Sequence, residues 1–292
     1  MTAKPIISII FPVKNEGGNV RTTLDSLFSV KTAYPFEAIV VNDKSADNCC
    51  DFLQTYPQKK RVKLIHTIGV GAANARNVGA ENASGDYLIF CDAHLEFEDW
   101  WIDHLLQPLL SGKTDAVTPA IGAIGDSENV GFGQTLMPNL RIQWNPEQNE
   151  LFETAVLPGG CFAIKRTVFE DVGGFETGFK TWGHEDVELS IKLWLFGYDC
   201  HVQPNVKILH LFRKSHPYKI PYDDYYYNLL RMAFSHFNAA RIQKCRKLIR
   251  RRKASDIEKL VLQDGVQMQR EAYFQKRKYN DDWYFKKFNI DF

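Results

Sequence analysis

The sequence has no cysteine pattern of the kind that holds zinc or staples a small secreted fold. Its six cysteines, Cys49, Cys50, Cys91, Cys161, Cys200 and Cys245, show no such spacing and read as free thiols in a reducing compartment. No apolar run is long enough to span a bilayer, and the opening Met-Thr-Ala-Lys-Pro passes into a strand without the basic, apolar and small regions of a secretion signal. A cytoplasmic protein is expected on these grounds. There is no internal repeat and no low-complexity tract, which excludes repeat arrays and compositionally disordered chains. Net charge is also scarce, at +1 over 292 residues. That sum hides a division, because residues 241 to 278 carry thirteen Lys/Arg against four Asp/Glu. The tail is basic and the body acidic. Such a run reads as a solvated helical face, or as a surface for an acidic partner, an anionic membrane contacted peripherally, or a second copy of the chain. No nucleic-acid partner is expected.

What the chain does have is an ordinary apolar content, 45%, enough for one large core or two modest ones. Ile6-Ile7-Ser8-Ile9-Ile10-Phe11-Pro12 reads as a first strand, and Asn15-Glu16-Gly17-Gly18-Asn19 leads into a helix with apolar Val20, Leu24, Leu27 and Phe28. Phe36 to Val41 is a second strand ending on Asn42-Asp43, with Asp47 as the cap of a following helix. Val62 to Ile65 precedes Gly69 to Gly79, a Gly-marked turn and Ala-rich helix, and then Leu88-Ile89-Phe90-Cys91 runs to Asp92-Ala93-His94. Strands alternating with helical segments indicate a parallel sheet with right-handed crossovers, whose ligands sit at the carboxyl ends of the strands. Asn15, Glu16, Asn42, Asp43, Asp92 and His94 all fall there.

Further on, a helix spans Trp100 to Leu110 and a strand Asp115 to Pro119. Residues 121 to 153 are rich in Gly, Asn, Pro and Gln and predict irregular or hairpin structure on the substrate side. Pro158-Gly159-Gly160 opens a strand; its glycines permit either close approach of a ligand or a tight turn. Glu185 to Phe196 predicts a largely buried helix stopped by Gly197, with Glu185 and Asp186 in the first turn, where the helix dipole favours negative charge. After a strand near Val202 to Leu209 comes His210-Leu211-Phe212-Arg213-Lys214-Ser215-His216-Pro217-Tyr218, dense in groups that bind metal, phosphate and hydroxyls. From Tyr222 the pattern is helical, over Asp223 to Phe237, Ala239 to Lys253 and Ser255 to Gln275. Residues 1–220 are expected to form the catalytic unit and 221–292 a helical extension packed on it, accessory to the chemistry.

In extended chain residues i and i+2 point to one side, so Asp92 and His94 can aim an oxygen and an imidazole nitrogen at one cation. That donor pair suits Mn²⁺ better than an all-oxygen site, with Mg²⁺ as the alternative.

Together these motifs resemble glycosyltransferases of the GT-A fold, most closely the catalytic domain of the polypeptide N-acetylgalactosaminyltransferases, with a relation to family 2 glycosyltransferases. Asp92-Ala93-His94 followed by Glu96, Trp101 and Leu105 matches that family's Asp-x-His motif, and Pro158-Gly159-Gly160 its glycine pair. Trp182-Gly183-His184-Glu185-Asp186-Val187-Glu188-Leu189-Ser190 resembles its Trp-Gly-Gly-Glu-Asn-x-Glu-Leu-Ser, and His210 to Tyr218 its loop His-x-Phe-Arg-Lys-x-His-Pro-Tyr. The likeness covers residues 5 to 220. It implies an α/β fold of the Rossmann-like nucleotide-diphospho-sugar transferase type: a mixed, mostly parallel sheet flanked by helices.

The resemblance also implies roles. His210 becomes the third metal ligand beside Asp92 and His94, around a Mn²⁺ that also meets the diphosphate of a UDP-sugar donor. Arg213 stabilises the departing diphosphate, Asp43 takes the uracil-binding position, and Arg76 is a donor-side arginine. Glu185 contacts sugar hydroxyls, while Gly159, Gly160, His216 and Tyr218 lie against the donor. Trp182 and the loop from His210 to Tyr218 are expected to close over it. The implied acceptor is a hydroxyl of a peptide Ser/Thr or of a glycan. Three departures stand out: Asn42 where many GT-A enzymes have a first Asp, His184 and Asp186 in place of Gly and Asn, and no stretch like the lectin module and membrane anchor of the animal enzymes. A retaining transfer is expected from the long loop match. The rival readings are an inverting family-2-like enzyme with Asp186 as general base and a non-catalytic nucleotide- or glycan-binding protein of this fold.

Overall fold

The structure is a computed structural model that describes residues 7–249 and 254–292. Ile6, expected at the start of the first strand, and residues 250–253 of the expected tail helix lie outside the described residues. In chain order the first half gives β1 (Ile7–Val13), α1 (Asn19–Ser29), β2 (Phe36–Asp43), β3 (Val62–Thr67), α2 (Ala72–Glu81), β4 (Tyr87–Cys91), β5 (Leu95–Glu96) and α3 (Trp101–Leu110). There follow β6 (Ala116–Ala123), β7 (Asp126–Phe132), β8 (Gln134–Leu136), β9 (Ile142–Trp144), β10 (Phe152–Glu153), β11 (Cys161–Lys165), α4 (Arg166–Asp171), α5 (Glu185–Phe196) and β12 (Cys200–His210). The tail supplies α6 (Tyr222–His236), α7 (Ala239–Leu248), α8 (Ala254–Gln263), α9 (Val266–Lys276) and α10 (Asp281–Lys287).

The main sheet runs β10-β12-β6-β11-β4-β1-β2-β3, with β5 on β12 and β7 on β6. Strands β1 to β4, β6 and β12 share one direction; β5, β7, β10 and β11 oppose it. The mixed, mostly parallel sheet is the one implied by the GT-A likeness. Its strands are apolar on both faces because both faces are covered. On β1, Ile7, Ile9, Phe11 and Val13 enter one core with α1 and α3, while Ile10 enters the other. On β4, Ile89 and Cys91 join the first core, and Leu88 and Phe90 the second, as a two-residue period requires. Helix α2 lies so close to β1 that a Cβ at Gly79 would come within 2.3 Å of Ile10.

Two local expectations are corrected. Between β2 and β3 the chain forms only 3₁₀ turns, Asp51–Gln54 and Lys59–Arg61, and no α-helix. Asp47 instead accepts the amides of Gly17 and Cys49 and ties this segment to the end of β1. The expected helix from Ser255 to Gln275 breaks into α8 and α9, because Gly265 adopts a left-handed φ of +77° between them.

The basic tail also turns inward. Arg241 binds Asp281, Asp282 and the Phe292 carbonyl; Arg246 meets Glu258 at 2.9 Å. Arg270 donates to the carbonyls of Phe234 and Phe237, Arg277 to that of His236, and Lys276 reaches Asp171 at 2.8 Å. These five of the thirteen cations close helix ends and interhelical gaps, while Lys244, Lys247 and Lys278 are exposed. The same core that receives Ile10, Phe90 and α5 also receives Tyr227, Leu230, Met232, Tyr284, Phe285 and Phe292 from the tail.

Candidate active site

Strand β4 stops at Cys91, and the amide of Asp92 then donates to the Gly160 carbonyl at 2.9 Å. Ala93 is buried in the core, which leaves its neighbours Asp92 and His94 on the cleft side. His210 arrives at the end of β12, paired with Leu95 of β5, and Leu211 donates back to the His94 carbonyl at 3.1 Å. Three ligand atoms, one each from Asp92, His94 and His210, thus fall within 4.8 Å of one another. Asp92 Oδ2 is 3.3 Å from His210 Nε2 and 3.8 Å from His94 Nε2.

One oxygen between two imidazole nitrogens fits Mn²⁺ chemistry. The surroundings support that fit. Glu16 Oε2 lies 3.2 Å from Nδ1 of His94; burial raises the Glu16 pKa, but His94 and Arg213 outweigh it and keep the group ionised. An ionised carboxylate only accepts, so Nδ1 is the donor in this contact, and Nε2, the nitrogen nearer Asp92, is the one available to ligate a cation. Burial likewise raises the Asp92 carboxyl, and the His210 hydrogen bond with the charges of His94 and Arg76 brings it well below the usual range.

Arg76, on α2 and 4% exposed, braces the centre. Its Nη2 donates to Asp92 at 3.1 Å and to the Gly159 carbonyl at 3.2 Å, and its Nη1 to Glu185 at 3.3 Å. On one side is a cleft of about 320 Å³ walled by Lys14, Asp43, Trp182, Arg213, His216 and Tyr218. Asp43 accepts from Thr67 (2.6 Å), Val70 (2.6 Å) and Gly71 (3.0 Å), with Lys14 at 3.5 Å. Burial raises its pKa, but these donors outweigh that and lower it overall, so it is anionic. Much of its accepting capacity already holds the turn before α2. Arg213 is clamped bidentately on Glu16, and the Trp182 ring lies 4.4 Å from that of His216.

On the other side a cavity of about 630 Å³ is floored by Gly159, Gly160, Glu185 and Asp186 and shares Arg76, Asp92 and His210 with the cleft. A Cβ at Gly160 would sit 3.3 Å from His210 and one at Gly159 3.3 Å from Asp186. The glycines are therefore about close approach of backbone and side chain. Glu185 accepts the Gly183 amide at 2.8 Å, and Asp186 those of Gly159 (3.2 Å) and Val187 (2.8 Å). Burial pushes both carboxyls up, opposed at Glu185 by Arg76 and at Asp186 by the two amides.

Every residue given a metal, donor or catalytic role from the sequence lines one of these two cavities, whereas Asn15 and Asn42, named as strand-end polar residues, line neither. Others were not singled out. Glu16 is named from the sequence only as a strand-end polar residue; its nearness to His94, and that of Lys14 to Asp43, is tertiary. The tail, expected as an extension packed on the catalytic unit, also reaches the second cavity. Tyr225 of α6 lines the second cavity, and Asn228 holds the Trp182 segment through the amide of Lys180 and the carbonyls of Lys180 and Gly183.

Known proteins are similar to this chain in sequence and in fold. A model of glycosyl transferase family 2 matches residues 8–173, and one for the N-terminal domain of galactosyltransferase matches 144–217. Polypeptide N-acetylgalactosaminyltransferase 11 of Xenopus tropicalis is 29% identical over 253 residues, which is 78% of this chain and 42% of that protein. The Drosophila melanogaster enzyme 8 is 31% identical, over 73% of this chain and 39% of its own. The chain thus spans about two-fifths of these relatives. Among solved structures, GalNAc-T7 with UDP, GalNAc and Mn²⁺ superposes with a TM-score of 0.76 at 21% identity, covering 99% of this chain and 57% of that one. The S. aureus protein TarS with UDP-GlcNAc gives 0.61 at 17% identity, over 83% and 71%. The fold is GT-A, and with more than half of its length matched by the family model the chain belongs to glycosyl transferase family 2.

Proposed function

We propose that this protein moves a sugar from a UDP-sugar to a hydroxyl acceptor with the help of Mn²⁺ held by Asp92, His94 and His210. The observation that carries the reading is the convergence of those three side chains where two cavities meet. A bound divalent cation supplies positive charge against the diphosphate as its bond to the anomeric carbon breaks. The protein supplies the rest. Asp43 lies where the base enters, and Lys14 and Arg213 add positive charge along the cleft. Glu185, kept in place by Arg76 and the Gly183 amide, faces the sugar side. Trp182 and the loop through Tyr218 cover the cleft and exclude water, so that transfer outruns hydrolysis.

Retention of anomeric configuration is the primary reading, because the departing diphosphate can itself take the acceptor proton on the same face. Inversion is the second reading, favoured by Asp186: its carboxyl lines the sugar-side cavity and burial raises its pKa toward that of a working base. The acceptor is a peptide Ser/Thr or a glycan hydroxyl. Six buried, unpaired thiols support a cytoplasmic location.

The test is UDP release from a panel of UDP-sugars in Mn²⁺, with NMR of the product anomer. EDTA and His210→Ala should each abolish release; undiminished release in EDTA overturns the metal reading.

A further inference from the structure

His184 stands between the sugar-side cavity and a third cavity, of about 700 Å³, that opens toward Tyr225 and Tyr226 of α6 and Ile220. Its conformation is unusual: it is the residue before α5 and has a left-handed φ of +68°, a region that side-chain-bearing residues seldom occupy. The preceding Gly183, at φ +107°, lies so close to Tyr225 that a Cβ there would come within 2.6 Å of the ring. The two residues together press the His184 imidazole against Tyr225, with ring centroids 4.4 Å apart. The side chain is only 8% exposed, yet its Nε2 is buried with no hydrogen-bond partner. A buried polar atom left unpaired is destabilising and calls for an explanation. Burial lowers its pKa to about 4, so the ring is neutral at physiological pH and offers one donor and one acceptor.

We propose that His184 is a specificity-determining residue whose Nε2 hydrogen-bonds a substrate hydroxyl at the junction of the two cavities. The orphaned nitrogen in an αL backbone, fixed by a glycine and an aromatic neighbour, is a preorganised contact awaiting its partner. The hydroxyl belongs either to the donor sugar or to the acceptor, since both cavities meet at this ring. The inference rests on the transferase reading above.

The test uses the full chain and two variants. His184→Phe keeps a ring against Tyr225 and removes the nitrogen; His184→Asn keeps a polar group that tolerates left-handed φ but shortens its reach. UDP binding in Mn²⁺ is measured first by calorimetry: His184 does not line the cleft assigned to the nucleotide, so UDP affinity should be unchanged in both variants. Failure of the wild type to bind UDP overturns the transferase reading and is recognisable as such. If the hydroxyl is the donor's, the extra affinity of the productive UDP-sugar over UDP falls about tenfold in His184→Phe, and a deoxy-sugar donor lacking that hydroxyl no longer distinguishes wild type from variant. If it is the acceptor's, donor hydrolysis is preserved while acceptor kcat/KM falls by a similar factor. Unchanged donor increment together with unchanged acceptor kcat/KM overturns the proposal.

Discussion

Glu16 Oε2 and His94 Nδ1 lie 3.2 Å apart, on the side of the imidazole ring away from Asp92. A carboxylate behind a metal-binding histidine fixes its tautomer and raises its basicity. Glu16→Gln keeps the shape and removes the charge. Manganese affinity, followed by the EPR signal of the free ion, is expected to fall about ten- to a hundredfold. An unchanged affinity would show that Glu16 serves Arg213 alone.

Gly183→Ala is expected to destabilise the protein by about 1–3 kcal/mol, through strain at φ +107° and collision with Tyr225. Denaturant unfolding gives the stability. UDP affinity measured on the folded fraction should hold, because the nucleotide cleft is walled by other residues.

Behind the site, Lys192 is fully buried, with Nζ 2.7 Å from the Gly174 carbonyl and 3.2 Å from Glu188, which also accepts from His236 at 2.7 Å. Lys192→Met leaves a buried carboxylate with one partner fewer, an expected loss of about 3 kcal/mol. The pH dependence has a defined sign. Burial raises the Glu188 pKa, but Lys192 and His236 bring the net value below its ordinary 4.5. Its contribution is therefore present above pH 4.5 and lost as pH falls through the lower folded value. The stability gap between wild type and Glu188→Gln should be wide at neutral pH and narrow in acid. A gap that widens in acid refutes the assignment.

Truncation after Phe237 is expected to give insoluble protein. It removes Tyr284, Phe285 and Phe292 from the core shared with the sheet, and with Tyr284 the hydroxyl that donates to the Ala155 carbonyl at 3.0 Å. Soluble, UDP-binding truncated protein would restore the view of α7 to α10 as an accessory.

Much of the fold could be read locally. Runs such as Ile9 to Phe11 and Leu88 to Cys91 are apolar at every position because helices cover both faces, and Gly197 marks the end of α5. The Asp92/His94 pair is visible because a strand repeats every two residues. What stayed hidden depends on distant segments. Nothing between positions 16 and 94 says that Glu16 meets His94, and a count of charges does not show that Arg241, Arg270 and Arg277 turn inward onto carboxylates and carbonyls. Likewise the tyrosines of α6 look like an amphipathic helix until Asn228 is seen gripping the Trp182 segment.

The two-residue strand β5 has a consequence for the order in which the protein is made. Its pairing with His210 closes a ring that begins at Asp92, 118 residues earlier. A chain emerging from the ribosome with β5 complete holds two of the three cation ligands and must wait for β12 to supply the third. Closing so long a ring is entropically unfavourable until the intervening sheet has formed. Cation capture therefore follows folding and cannot seed it. Loading with Mn²⁺ should slow hydrogen exchange at the Leu211 amide, which donates to the His94 carbonyl, while leaving the refolding rate of the chain untouched.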